Sequence, residues 1–213
     1  MIAIETNTRS PRKASSRPAL EIRFLFVDGS SETFIQPDAE AAEVIRQRTH
    51  SSNLFTHSRI VVADDYSKSV FVCAQVNRVD LVFNGSGHSR IPPDHLDLVE
   101  LTEAEFHQCV PVNDPDLLPR REHPRQVGDL LVSFLDLRMR GGSHVYLMNE
   151  TVVKLPAESQ SFMQRLLSKG TYGIRLREGG HGLLNLQNLI GYTVYPGVPE
   201  LPADTWMAQP KAT

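Results

Sequence analysis

The chain has 213 residues, 40% of them hydrophobic and 22% charged, which fits a folded protein and excludes an extended disordered one. Its formal charge of −3 excludes a whole-molecule electrostatic footprint for nucleic acid, so nucleic acid is a disfavoured partner. Two cysteines, Cys73 and Cys109, cannot make the disulfide framework of a small secreted domain, and no run approaches the roughly 18–20 apolar residues of a membrane span.

With no apolar leader at the start, these features point to a cytoplasmic protein carrying two free thiols. Residues 1–18 are rich in Ser, Pro and basic side chains and read as a disordered tail. A first β-rich module is expected over 19–90. Ile22, Phe24 and Phe26 share one strand face, Asp28-Gly29-Ser30 turns the chain, and residues 32–35 return as the second strand of a hairpin. Pro37 opens a helix to about Arg48, with acidic residues early and Arg46 and Arg48 late, as the helix dipole favours. Residues 59–63 and 70–73 read as strands, and alternation keeps the chain extended to Phe83. Cys73 sits in an apolar run and reads as a small buried hydrophobe.

Residues 91–126 are proline-rich and read as a connector. Within it, 96–101 can form a strand, and Thr102-Glu103-Ala104-Glu105 matches a capping box for a short helix. A second β-rich module is expected over 127–196: a strand at 130–139, a turn at Gly141-Gly142, a strand at 145–148, then a tight turn at Asn149-Glu150. Residues 156–169 show the clearest helical spacing, with Gly170 as a C-terminal stop. A strand at 172–177, a Gly-rich turn and an extended run to Tyr195 follow, and 197–213 form a C-terminal tail.

The expected elements repeat in order. Residues 72–83 lie without gaps on 183–194, an offset of 111 (183 − 72), and Asn77 falls on Asn188. The fold class is therefore α+β, mainly antiparallel, with two similarly organised halves (hairpin–helix–hairpin) and one helix per half. Open strand edges in each half must be paired or covered, which makes a protein partner or a homodimer through sheet edges the expected interaction.

The eight histidines show no metal-ligand spacing; His107-x-Cys109, with Glu103 and Glu105, lacks a second pair of ligands. His88 and His95 flank Asp94 and Asp97, from which a histidine base with an orienting carboxylate can be drawn. Gly85-Ser86-Gly87 and Gly142-Ser143-His144 do not fit a serine elbow, and the two Gly-rich turns lack the helix that a phosphate loop needs. The segment Arg120-Arg121-Glu122-His123-Pro124-Arg125 contains R-x-x-x-R ahead of an expected β module. It resembles the first box of the PilZ family, β-barrel domains that bind cyclic di-GMP; the resemblance implies phosphate and base contacts from Arg120, Arg121 and Arg125. That family's second box, D/N-x-S-x-x-G, does not follow Arg125, and the likeness covers six residues.

No catalytic set, metal set or cofactor motif emerges from the sequence. The leading expectation is a non-catalytic binding or adaptor protein built from a tandem duplication. The alternatives are nucleotide or nucleic-acid binding through Arg120, Arg121 and Arg125, and a hydrolase with a histidine base.

Overall fold

The computed structural model describes residues 2–5, 18–49, 54–84, 98–110, 128, 130–152, 169–195 and 206. Of the helix expected over 156–169, all but Lys169 lies outside these residues. In chain order the strands are β1 (Ile2–Glu5), β2 (Leu20–Phe26), β3 (Ser31–Gln36), β4 (Arg59–Ala63), β5 (Lys68–Val72) and β6 (Val76–Phe83). They continue as β7 (Leu98–Leu101), β8 (Leu130–Met139), β9 (His144–Val152), β10 (Thr171–Arg175), β11 (His181–Asn185) and β12 (Leu189–Tyr195). The helices are α1 (Ala39–Thr49) and α2 (Glu103–Cys109). Among the described residues no helix is long and apolar enough to cross a membrane.

Nine strands form one sheet in the order β12-β8-β9-β7-β10-β11-β6-β2-β3, and β1-β4-β5 form a second. Most pairs are antiparallel, but β1–β4 and β7–β10 are parallel, so the architecture is α+β with mixed sheets. The strand and short capped helix expected within 91–126 form β7 and α2, with Leu98 and Phe106 buried. Two expectations need correcting, at Ile2–Glu5 and at Asn149-Glu150. Ile2–Glu5 is a strand paired with β4 rather than part of a disordered tail. Asn149 and Glu150 lie inside β9, which runs on to Val152, where a turn was expected.

Local chemistry explains the elements. Leu20, Ile22 and Phe24 alternate along β2 and are all fully buried. Asp38 caps α1 by accepting from the Ala41 N–H at 2.8 Å, and Ala42, Ile45 and Thr49 give that helix a narrow buried face. Thr102 and Glu105 form the expected capping box on α2. The first core is aromatic: Phe24 stacks on Phe71 at 4.4 Å and meets Phe34 edge-on at 5.8 Å. The second is built mostly from Leu98, Leu135, Leu137, Leu147, Ile174 and Leu184.

The backbone of the two halves follows one pattern. Met139 N–H donates to Ser143 O, and Gly142 N–H to Met139 O. Phe26 N–H to Ser30 O and Gly29 N–H to Phe26 O make the same turn, each position 113 residues earlier (139 − 26, 143 − 30, 142 − 29). Gly29 and Gly142 have φ of 85° and 87°, the left-handed conformation such a turn requires of glycine. The β2–β3 and β8–β9 registers coincide at the same offset, as do the irregularities where β2 meets β6 and β8 meets β12. A 3₁₀ turn, Cys73–Gln75 or Leu186–Asn188, leads into the last strand of each half. These backbone coincidences fall at an offset of 113 rather than the 111 of the apolar alignment; at 113, Asn77 falls on Ile190 and Asn188 on Gln75.

Candidate functional site

Arg120, Arg121 and Arg125, the ligand contacts expected from sequence, lie outside the described residues, as do His88 and His95. The two Gly-rich turns are hairpin turns, between β8 and β9 and between β10 and β11. Cys73 is buried, and that burial pushes its thiol above the ordinary range, which makes it a poor nucleophile. Cys109 ends α2 and is exposed. Among the described residues no three His, Cys, Asp or Glu side chains are arranged to hold a metal ion.

Sequence reasoning missed one histidine–carboxylate dyad. His144 Nδ1 lies 2.6 Å from Asp136 Oδ1, with the His144 ring stacked on Tyr146. Both groups are part-exposed on neighbouring strands, a diagonal cross-strand pair. A surface hollow of about 240 Å³, lined by Thr33, Phe34, Ile35, Val62, Ala63, Asp64 and Ser67, lies elsewhere. It is smaller than the roughly 300–1,000 Å³ of small-molecule sites and holds no histidine.

Most of the buried polar side chains sit where the halves join. β11 of the second half pairs with β6 of the first, with His181 opposite Leu81, Gly182 opposite Asp80, Leu183 opposite Val79 and Leu184 opposite Arg78. Arg78 donates to both carboxylate oxygens of Asp80, at 2.5 and 2.8 Å, and to Glu100 on β7 at 2.5 Å. Burial works against the Arg78 charge, but the two carboxylates outweigh it and hold the guanidinium above its ordinary pKa. A side chain at position 182 would bring its Cβ to 2.7 Å from Asp80 Oδ1, so the close approach of β11 needs glycine.

Asparagines complete the junction. Asn185 Nδ2 donates to Cys73 O and Val76 O, and Asn188 Nδ2 to Ala74 O and Val76 O. The second half thereby satisfies carbonyls of the first half's 3₁₀ turn. In the other direction, Asn77 Nδ2 donates to Arg140 O at 2.8 Å, in the second half's hairpin turn. Arg23 on β2 also forms an ion pair with Glu178 in the β10–β11 turn.

Four strands are sheet edges among the described residues, β1, β3, β5 and β12, and two of them stand out. β5 pairs only with β4, and β12 only with β8, among the described residues. These edges present apolar side chains: Val70 and Val72 on β5 are 46% and 49% exposed, and Ile190 and Tyr192 on β12 are 67% and 36% exposed. Open edges are usually blunted by charge or proline, whereas Lys68 is the one charged residue within these two strands. The chain matches no family model, no curated protein and no solved structure.

Proposed function

We propose that the protein is a non-catalytic binding module, built by tandem duplication of one six-stranded unit, that recognises its partner by strand pairing at the β5 and β12 edges. The observation that carries this is the apolar, unblunted character of both edges, which strand addition would cover while satisfying their outward N–H and C=O groups. Duplication is supported by the shared 113-residue spacing of the β2–β3 and β8–β9 turns and registers and of the irregularities where β2 meets β6 and β8 meets β12, with a one-residue insertion separating the β10–β11 hairpin from β4–β5.

Amide hydrogen exchange on dilute protein tests the binding surface. Outward-facing amides of β5 and β12 are expected to exchange much faster than those of β2 and β6, which are paired on both sides. Protection of β5 and β12 equal to that of β6 would remove the surface. Catalysis is tested separately at the His144–Asp136 dyad. Turnover of ester, phosphate or nucleotide substrates by pure protein, abolished by His144→Ala, would overturn a non-catalytic role.

A further inference from the structure

We propose that the partner is a second copy of this chain: β5 of one copy pairs with β12 of the next, antiparallel, so that copies assemble head to tail. This rests on the binding function above and names its partner. Inside the chain the halves join through the β6–β11 ladder. β5 holds in the first half the place that β11 holds in the second, since each is the second strand of a hairpin that leads through a 3₁₀ turn into the last strand. β12 likewise holds the place of β6. One junction therefore uses one strand of each kind, and one of each kind is left over.

The side chains at the open edges carry the comparison. At the internal junction Leu183, Asn185, Asn77 and Val79 are 2%, 1%, 3% and 2% exposed. Their counterparts 113 residues away are Val70, Val72, Ile190 and Tyr192 (183 − 113, 185 − 113, 77 + 113, 79 + 113), the four exposed apolar residues of the two edges. Leu183 crosses the internal junction to join the first core, beside Val79. The same step at the outer edge would bring Val70 of the next copy beside Tyr192, extending the second core. Where the internal junction uses the amides of Asn77 and Asn185, the outer one would have Ile190 and Val72, and so would be drier.

The register carries over as well. Shifting the β6–β11 pairs by 113 places Lys68 opposite Val194, Ser69 opposite Thr193, Val70 opposite Tyr192 and Phe71 opposite Gly191. The contact is heterologous, joining two different edges. It closes into a ring or continues as a filament, and every ring contains an even number of halves.

Complementation between two blocked variants tests this. The native chain should sediment with a mass that rises above one chain as concentration increases. Val70→Lys, which blocks β5, and Ile190→Asp, which blocks β12, should each raise the concentration needed for assembly at least about tenfold, as charges on an edge do. Mixed one to one, they should form a dimer and nothing larger, because V70K keeps an intact β12 and I190D an intact β5. In a Cys109→Ser background, oxidised Val70→Cys/Tyr192→Cys protein should give a covalent ladder, and neither single cysteine should; this measurement decides the matter if a charged variant fails to fold. A native chain that stays monomeric at all concentrations with fast-exchanging edges overturns self-assembly and leaves a different partner. Edges already protected in a monomer overturn both self-assembly and the binding function. Assembly of either blocked variant alone, or no ladder from the double-cysteine protein, also overturns it.

Discussion

At the scale of single residues, the Arg78–Asp80–Glu100 cluster is the most consequential polar feature in the interior. Arg78 and Asp80 are two apart on one strand, so both project to the same face, where they lie against the second core. The Asp80 side chain is 4% exposed and that of Arg78 is 10% exposed, so each depends on the other for compensation. Asp80→Leu should lower unfolding stability by about 3 kcal/mol, because it leaves a buried guanidinium with Glu100 alone. The double change Arg78→Met/Asp80→Leu should recover most of that loss, since a matched apolar pair removes both desolvation costs. Urea denaturation of the three proteins measures this; a double variant no more stable than Asp80→Leu would show that the pair contributes through a specific geometry that apolar packing does not replace.

At the scale of elements, much of the fold was legible where a local signal exists. The β2 alternation, the start of α1 after Pro37 and the capping box of α2 each rest on a few adjacent residues, and each appears in the structure. The offset between halves was not legible, for a physical reason. Side chains alternate with a period of two, so a slip of two residues keeps every apolar side chain on its face and the pattern cannot separate 111 from 113. Hydrogen-bonded turns and strand irregularities separate them, and these are properties of the backbone. The polar face of β6 was misleading for a related reason. Val79, Leu81 and Phe83 alternating with Asp80 suggest one wet face, yet both faces are covered because β6 belongs to two cores. The open edges could not be found at all, since exposure of Val70 or Ile190 depends on which strand lies beside it. The capping box makes a pH prediction. Hydrogen bonds from the Thr102 backbone N–H and hydroxyl hold the Glu105 carboxyl below the usual range, with Arg177 nearby adding to the effect. Because the folded-state pKa is depressed, this support is present above the ordinary glutamate pKa and is lost as pH falls through the lower, folded value. The Glu105 carboxyl and Thr102 amide resonances should therefore titrate together, below the ordinary glutamate range, as the first turn of α2 loosens. A Glu105 that titrates normally, with an unresponsive Thr102 amide, would mean the cap does not form in solution.

At the scale of the whole molecule, successive compact units of a chain commonly keep separate cores and unfold separately. Here the two halves share their central strands. Val79 and Leu81 on β6 pack into the first core while Val82 packs into the second, and on β11 Leu183 faces the first while Leu184 faces the second. Phe55, in the first core, donates its N–H to Thr171 Oγ1 and accepts from Gln187 Nε2, so both sides of the junction are also tied through the backbone. Removing β11 would leave Leu81 and the Arg78–Asp80 pair uncovered, and removing β6 would do the same to Leu183 and Gly182. Neither core can open without uncovering the other, which predicts one cooperative transition. Leu81→Ala and Leu184→Ala should each cost about 2–5 kcal/mol, the usual range for a buried leucine, and each should shift that single transition without splitting it. Hydrogen exchange followed by mass spectrometry in increasing urea distinguishes the cases at dilute concentration, where association adds nothing. Amides of β2 and of β8, one from each half, should lose protection together in both variants. If Leu184→Ala instead released β8 while β2 stayed protected, the two cores would be independent despite their common strands, and the β6–β11 ladder would be a docking contact between finished units.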